Sequence, residues 1–142
     1  MTVHFTVPGE PEGKARPRVT SRGTYTPPKT KTYEQLVRME YRRQCKDAFF
    51  ASRPLSVSIR SYHKIPQSAA KRQRERMLSD KTWPTKKPDA DNIAKAVLDS
   101  LNCVAYTDDA QVICLDIVKH WDTVPRVEVW ITDDITPQEG DT

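Results

Sequence analysis

The chain has 142 residues, of which 37% are hydrophobic and 30% charged, and this composition indicates one globular domain rather than a disordered chain. Eleven prolines and four glycines exclude a long coiled coil, and no apolar run approaches the roughly 18 residues of a membrane span. Residues 1–88 carry twenty Lys and Arg against seven Asp and Glu, a net +13, whereas residues 89–142 carry three against twelve, a net −9. The basic part predicts a polyanionic partner, and the acidic part is either a solvated face or a cation-binding region.

The first half of the chain combines strands with one long helix. Val3, Phe5 and Val7 alternate with polar residues, as in a half-buried strand. After a loop or extended segment, apolar residues at three- and four-residue steps predict an amphipathic helix over residues 31–51. Residues 55–60 alternate again and predict a second strand.

A basic segment follows over residues 64–88, with eight Lys and Arg against Glu75 and Asp80. Within it, residues 68–78 predict a short and very polar helix. The loop after this helix is long for a compact domain, which is typical of functional or mobile segments.

The second half begins with a helix predicted over residues 91–101, followed by Asn102 as a candidate left-handed residue. We expect an extended piece at residues 104–107. Residues 112–121 and 126–132 alternate as strands do.

The connection between these last two strands contains Pro125, which suggests a hairpin. The order of elements predicts an α+β class: a small single domain over residues 1–132 with two main helices and a mixed or antiparallel sheet. Residues 133–142 are expected to form an acidic, flexible tail.

Three cysteines, Cys45, Cys103 and Cys114, form no CxxC pair. Their number and spacing argue against a disulfide framework and a cysteine zinc site, and they favour the reducing cytoplasm. Because free cysteine is usually buried and inert, we expect them to be small core residues. Residues 1–10 lack a basic start and an apolar stretch, so we expect no signal peptide.

Six residues of the acidic half are spaced so that they can converge. Two carboxylates precede the second helix, two follow it after a short connection, and a lysine and a further carboxylate lie at four-residue steps along one helix face. They are Asp89, Asp91, Lys95, Asp99, Asp108 and Asp109.

Convergent carboxylates repel one another unless a cation lies among them. Mg²⁺ prefers oxygen ligands and is commonly held by one or two carboxylates with waters and a substrate phosphate. Lys95 would add a fixed positive charge for the negative charge that develops on a phosphoryl group. The three histidines are scattered through the chain, which disfavours Zn²⁺.

On spacing alone, a structural interpretation of the same residues is favoured, because acidic helix starts are common. Asp91 is well placed to cap the helix, and Asp89 is favourable near the positive end of its dipole. Lys95 could form ordinary ion pairs along the helix, and Asp108 with Gln111 matches a capping-box spacing. Capping and metal binding are compatible, since a carboxylate has several lone pairs.

Three segments of the acidic half resemble the signature of the RusA family of Holliday-junction resolvases. They read KPDADNIAK over residues 87–95, LDSLN over residues 98–102 and YTDDAQV over residues 106–112. The N-terminal segments PG, KARPR and YTP also resemble this family. The similarity extends from about residue 3 to residue 132.

The resemblance implies a small dimeric endonuclease, of a kind common in phages and prophages, that resolves four-way DNA junctions with Mg²⁺ or, as a substitute, Mn²⁺. It implies catalytic roles for Asp89, Asp91, Asp109 and Lys95. The metal would be held by Asp89, Asp91 and Asp109, with Asp108 beside them. Asn92 and Asp99 match motif positions that would support these residues.

The expected partner is branched DNA, recognised by shape and phosphate contacts in the cytoplasm of a bacterial or phage-infected cell. A homodimer would present two sites to a twofold-symmetric junction. Two alternatives remain: a non-catalytic DNA-binding module, or a metal-dependent nuclease or phosphoesterase acting on other substrates. The candidate DNA-binding residues are Lys14, Arg16, Arg18, Arg72, Arg74, Lys86 and Lys87.

Overall fold

A computed structural model describes residues 1–15, 18–25 and 27–135. It has an α+β architecture with two sheets and three helices, in addition to one short 3-10 turn at Asp109–Gln111. The elements are β1 (Thr2–Pro8), β2 (Arg18–Thr20), β3 (Gly23–Tyr25), α1 (Pro28–Cys45), β4 (Leu55–Lys64), α2 (Lys71–Leu78), α3 (Ala90–Ser100), β5 (Val112–Asp122) and β6 (Arg126–Thr132). Within the described ranges, no helix is long and apolar enough to cross a membrane.

The main sheet has four strands in the order β1-β6-β4-β5. The β4–β5 pair is parallel and the other two pairs are antiparallel, so the predicted mixed sheet is confirmed. Alternate side chains of β1, β4 and β6 are buried on one face, and the core forms between this face and helices α1 and α3. The strands β2 and β3 form a separate small hairpin.

The predicted hairpin between the last two strands is wrong, because β4 lies between β5 and β6. Three extended residues reach about 10 Å, which is twice the spacing of neighbouring strands, so a short connection does not specify a hairpin. In this inner position, β4 buries Leu55, Val57 and Ile59 completely.

Two predicted boundaries also differ. Helix α1 ends at Cys45 instead of Ala51, because Lys46 and Asp47 have φ angles of 52° and 56° and the left-handed conformation ends a helix. After α3, the left-handed residue is Cys103, with φ 63°, instead of Asn102.

The segment between α3 and β5 is a set of turns, so the extended piece predicted at residues 104–107 is wrong. The backbone N–H groups of Val104 and Ala105 both donate to the carbonyl oxygen of Leu101, at 3.0 Å. This compact arrangement brings the chain back beside the helix that it has just left.

The three cysteine thiols are free, but the expectation that they are core residues is wrong for two of them. Cys103 is exposed in the turn after α3 and Cys114 is exposed on β5, whereas Cys45 is half-buried. The predicted tail begins at Asp133, whose carboxylate lies 2.7 Å from the Met1 ammonium and also pairs with Arg53. Residues 136–142 of the tail lie outside the described residues.

Helix α1 covers the outer edge of β1. The Thr6 N–H donates to Gln44 Oε1 at 2.8 Å, and Gln44 Nε2 donates to the Thr6 carbonyl at 2.7 Å. One side-chain amide thus occupies both hydrogen-bonding groups of an edge residue, as a neighbouring strand would. The Cys45 thiol lies 3.6 Å from the carbonyl of His4 on the same edge.

Replacing Gln44 with Met should destabilise the fold, because the two backbone groups of Thr6 lose their partner while the side-chain volume is kept. We expect the free energy of unfolding, measured by urea denaturation, to fall by about 1–2 kcal/mol. The control is Gln35→Met, at an exposed position of the same helix, which should change it by less than about 0.5 kcal/mol. Equal effects of the two substitutions would contradict this role of Gln44.

Candidate active site

One side of α3 forms the wall of a surface cavity of about 570 Å³. Asp91, Lys95 and Asp99 lie four residues apart on this side, as the sequence predicts, and the opposite side of the helix is buried in the core. Asp109 and the β5 residues Leu115 and Ile117 complete the lining together with Ala90, Ala94 and Leu98. The cavity therefore combines three carboxylates and one ammonium group with an apolar wall.

The turns after α3 determine the position of Asp109. The buried Tyr106 hydroxyl donates to the carbonyl of Leu98 at 2.6 Å, and the Asp109 N–H donates to Asn102 Oδ1 at 2.9 Å. These bonds attach the returning chain to the last turn of α3. As a result, the Asp109 carboxylate reaches the same cavity as the helix residues.

Gln111 fixes the 3-10 turn that carries Asp109. Its side-chain Nε2 donates to the carbonyls of Ala51 and Arg53, both at 2.7 Å, and its Oε1 accepts from the Asp108 N–H at 3.0 Å. The last contact belongs to the capping box predicted from the Asp108–Gln111 spacing.

The electrostatics of the site centre on Asp109. Partial burial raises the pKa of its carboxyl above the usual range, and hydrogen bonding and charge repulsion from Asp108 and Asp99 raise this pKa further. Three carboxyl groups are therefore held close together against their mutual repulsion. A cation or a shared proton would relieve that repulsion.

Two other predicted site residues lie at the entrance to α3. Asp89 is exposed at the position before the helix, and its side chain makes no capping hydrogen bond. Asn92 is half-buried, and in the described part of the chain its side chain makes no hydrogen bond to these carboxylates, while its backbone carbonyl accepts from the Lys14 N–H at 3.0 Å. Asp108 is exposed beside Asp109.

Lys14, a candidate phosphate contact, has an ammonium group that is engaged within the protein. Its Nζ lies 2.6 Å from Glu34 Oε1 and 3.4 Å from Asp99 Oδ2, and only 17% of its side chain is exposed. Burial opposes its charge, but the two carboxylates outweigh this effect and raise the pKa of Lys14. The Lys14 ammonium thus compensates part of the negative charge of Asp99, which lines the cavity.

The preceding residue explains how Lys14 comes so close to α3. A side chain at Gly13 would place its Cβ 3.0 Å from Cβ of Pro88 and 3.3 Å from Cβ of Asn92. Only glycine avoids this crowding. The backbone of the N-terminal loop therefore packs directly against the side chains of Pro88 and Asn92 at the entrance to α3.

The remaining basic candidates are distributed over two regions. Arg16 lies outside the described residues and Arg18 begins β2. Arg72 is exposed on α2, Arg74 is half-buried and donates to the carbonyl of Pro66, and Lys86 and Lys87 are exposed in the loop before α3.

Two contacts hold this loop and the end of α2 against β5, the strand that lines the cavity. The Lys119 ammonium donates to the carbonyl of Lys86 at 2.7 Å, and Asp80 Oδ1 lies 3.0 Å from His120 Nδ1. The basic segment is therefore attached to the strand that contributes Leu115 and Ile117 to the cavity.

The donor set of the cavity fits Mg²⁺, because it offers carboxylate oxygens and neither histidine nor cysteine. Within residues 1–15, 18–25 and 27–135, no three His, Cys, Asp or Glu side chains are grouped closely enough to hold a metal by themselves. A site completed by water and phosphate needs only one or two carboxylates, which Asp91 and Asp109 can supply.

Sequence reasoning did not identify Glu34 as a supporting residue, and it missed the hydrogen bond from Asp109 to Asn102 and the bonds from Gln111 to the carbonyls of Ala51 and Arg53. Glu34 is one of only two acidic residues in the basic helix α1. An acidic residue in such a helix is a signal of an ion-pair partner. Asn102 and Gln111 both lie within the quoted motif segments, but their hydrogen bonds depend on turns that the sequence does not reveal.

An α+β domain with clustered carboxylates, a lysine at the same cavity and a basic surface beside it has the arrangement of a phosphodiester-cleaving enzyme. Comparison with known proteins agrees with this class. Residues 8–132 match the family described as endodeoxyribonuclease RusA, and this chain belongs to the RusA endodeoxyribonuclease family.

Two relatives give further context. The chain is 35% identical over 135 residues to the uncharacterized protein YqaN of Bacillus subtilis (strain 168), covering 91% of this chain and 94% of that protein. It is 30% identical over 89 residues to the crossover junction endodeoxyribonuclease rusA of Lactococcus phage r1t, covering 62% of this chain and 61% of the phage protein.

The carboxylate cluster predicts a pH-dependent stability. With its raised pKa, Asp109 binds a proton more readily in the folded than in the unfolded state, where its value is near 3.8. This group therefore stabilises the fold most below pH 3.8, and its contribution is lost as the pH rises through the folded pKa. In chelator at pH 7, Asp109→Asn should raise the free energy of unfolding by about 1 kcal/mol, the repulsion between two like charges about 4 Å apart in bulk water.

The advantage of Asp109→Asn should shrink as the pH approaches 3.8, as followed by urea denaturation at several pH values. The control is Asp134→Asn, at an exposed position away from the cavity, which should show no such trend. A variant that is less stable than the parent protein at pH 7 would rule out repulsion at Asp109.

Proposed function

We propose that this protein is a Mg²⁺-dependent, structure-selective endodeoxyribonuclease that resolves four-way DNA junctions by paired symmetric nicks in recombination and repair. The observation that carries the proposal is the single cavity lined by Asp91, Lys95, Asp99 and Asp109. These residues come from two separate segments of the chain, and both segments belong to the family motif.

Each cavity residue has a distinct task in phosphodiester hydrolysis. Asp91 and Asp109 would hold Mg²⁺, with Asp89 and Asp108 near enough along the chain to share waters with it. When bound, Mg²⁺ supplies a Lewis acid for the phosphoryl oxygen and lowers the pKa of a bound water. Mn²⁺ also favours carboxylate ligands and should substitute for it.

Lys95 is the positively charged residue of the cavity lining. It lies on the same side of α3 as Asp91 and Asp99, between them in sequence. Its ammonium is exposed, so it can approach a phosphate that enters from solvent. A fixed positive charge at this point stabilises the negative charge that develops on the phosphoryl group. The Asp99 carboxylate forms an ion pair with the Lys14 ammonium. This contact suits a role in positioning the neighbouring side chains.

The basic segment before α3 would supply most of the DNA affinity. Arg72, Lys86 and Lys87 are exposed, and neutralising backbone phosphates makes binding fall steeply with salt. No base-reading motif is evident in the sequence, so recognition of branched DNA would depend on the shape of the junction.

A homodimer would place two such cavities on a twofold-symmetric junction, which paired nicking requires. We place the activity in the cytoplasm of a bacterial or phage-infected cell, since the three thiols are free and the substrate is intracellular DNA.

The decisive test is cleavage of a labelled synthetic four-way junction beside a linear duplex of the same sequence, with Mg²⁺ or with chelator. We expect symmetric nicks in the junction alone and only with the metal. Asp91→Asn should bind the junction in a gel-shift assay but leave it uncut, because a metal ligand is lost. Asp134→Asn serves as the matched control and should cut normally.

The alternatives give different results. Binding of the junction without cleavage under Mg²⁺ or Mn²⁺ would indicate a non-catalytic DNA-binding module. Equal cleavage of the duplex, or cleavage of RNA in a substrate panel, would indicate a nuclease of another specificity. Substantial cleavage by Asp91→Asn would remove Asp91 from the metal site.

Lys95→Ala tests the role of the lysine in the transition state. We expect junction affinity to stay within a few-fold of the parent protein while the single-turnover cleavage rate falls by about 100-fold, the effect typical of one lost stabilising donor. Lys31→Ala, at an exposed position of α1, is the control for loss of a surface charge. If Lys95→Ala weakened binding and cleavage equally, the lysine would contribute only to DNA affinity.

A further inference from the structure

The entrance to α3 carries Asp89, the candidate metal residue that precedes the helix. Its side chain is exposed and makes no capping hydrogen bond. Its backbone carbonyl accepts from the Ile93 N–H at 3.0 Å, which begins the hydrogen-bonding pattern of the helix. The position of the Asp89 carboxylate therefore depends on the backbone, and so on the path of the loop that leads into α3.

Lys119 of β5 reaches this loop. Because side chains alternate along a strand, Lys119 lies on the same face of β5 as Leu115 and Ile117, which line the cavity. Its Nζ donates to the carbonyl of Lys86 at 2.7 Å, and Lys86 lies three residues before Asp89. A bond from an ammonium group is stronger than one between neutral groups. The strand that forms the cavity wall thus also holds the loop at its entrance.

The neighbouring strand β4 offers Lys119 no anionic partner. Ser61, which lies opposite Lys119 in the parallel pair, is buried and hydrogen-bonds His63 Nε2 at 3.0 Å. Burial and the nearby charge of Lys119 lower the pKa of His63 to about 4, so this imidazole is neutral at pH 7. Within residues 1–15, 18–25 and 27–135, no carboxylate pairs with the Lys119 ammonium, and the Lys86 carbonyl is the acceptor that it reaches.

A second support acts on the other side of the loop. The absence of a side chain at Gly13 lets the backbone of the N-terminal loop lie directly against Pro88 and Asn92. The chain is therefore held on both sides of Asp89, at Lys86 by the strand and at its flanking residues by the N-terminal loop.

We propose that Lys119 is a positioning residue of the candidate active site: its ammonium holds the Lys86 carbonyl and thereby sets where the Asp89 carboxylate lies relative to that of Asp91. This inference rests on the proposed function for the metal ion that these carboxylates would share. Lys119 acts through the loop and makes no contact with the substrate. This role differs from that of Lys95, whose side chain lines the cavity.

Metal affinity distinguishes a positioning role from a simple effect of charge. A nearby ammonium group repels a divalent cation, so removal of its charge alone would strengthen metal binding. Loss of a group that orients a metal ligand instead weakens binding, by roughly 10–100-fold. The two interpretations of Lys119 therefore predict changes of opposite sign.

The first test is Mn²⁺ binding to the full chain without DNA, measured by isothermal titration calorimetry. Lys119→Met keeps the length of the side chain but removes its donor, and it should raise the Mn²⁺ dissociation constant by about tenfold. Lys119→Arg can still donate to the carbonyl and should stay within about threefold of the parent chain. The control is Lys31→Met, at an exposed position of α1, which should leave the affinity unchanged.

A double-mutant cycle shows whether the effect passes through Asp89. The Asp89→Asn chain has already lost this carboxylate, so adding Lys119→Met should change its Mn²⁺ dissociation constant by less than about twofold. An equal effect of Lys119→Met in both backgrounds would overturn the proposal, as would tighter Mn²⁺ binding by the single variant. Weaker junction binding with unchanged Mn²⁺ affinity would also overturn it and make Lys119 a phosphate contact.

Hydrogen exchange tests the same contact without metal or DNA. The Ile93 N–H donates to the Asp89 carbonyl, so its exchange reports opening of the first turn of α3. We expect Lys119→Met to speed the exchange of this amide by about tenfold, as measured by NMR, because the loop before it is released. The amide of Val129, on the inner strand β6, should be unaffected. Unchanged exchange at Ile93 would contradict the proposal.

These measurements separate the role of Lys119 from the proposed function. Weaker Mn²⁺ binding that depends on Asp89, in a chain that cuts no junction, would support the positioning role and contradict the proposed function. A parent chain that bound no Mn²⁺ would contradict the metal dependence of the proposed function. Exchange at Ile93 would then decide whether Lys119 holds the entrance to α3.

Discussion

The candidate active site depends on one constraint: carboxylates that repel one another are held together by the turns that follow α3. The buried hydroxyl of Tyr106 and the side-chain oxygen of Asn102 attach the returning chain to the helix. Together with the hydrogen bonds of Gln111, they keep Asp109 beside Asp99. The cavity, the raised pKa of Asp109 and the suitability for Mg²⁺ all follow from this attachment.

The rest of the fold compensates for this accumulation of negative charge without filling the cavity. The Lys14 ammonium lies between two carboxylates and pairs with both Asp99 and Glu34 of α1. The N-terminal loop, helix α1 and helix α3 are therefore linked through one ammonium group. Because Lys14 is largely buried, the charge that remains exposed in the cavity is available to a metal ion and a phosphate.

Patterns within single elements were predictable from the sequence. The alternating strands and the apolar face of α3 follow from periodicity, and the stripe of Asp91, Lys95 and Asp99 follows from four-residue spacing. Relations between elements were less accessible. The position of β4 between β5 and β6 arises from pairing between segments that are distant in the chain, and the partners of Lys14 lie 20 and 85 residues away in the chain. No local pattern encodes such distances.

The coverage of β1 by Gln44 has a consequence for the assembly of this protein. A sheet with two bare edges can add strands in both directions and grow into open filaments. Here Gln44 occupies both outward backbone groups of Thr6, a central residue of the outer β1 edge, so another strand could pair along this edge only by displacing the amide. One side chain thereby limits the growth of the sheet at its β1 edge.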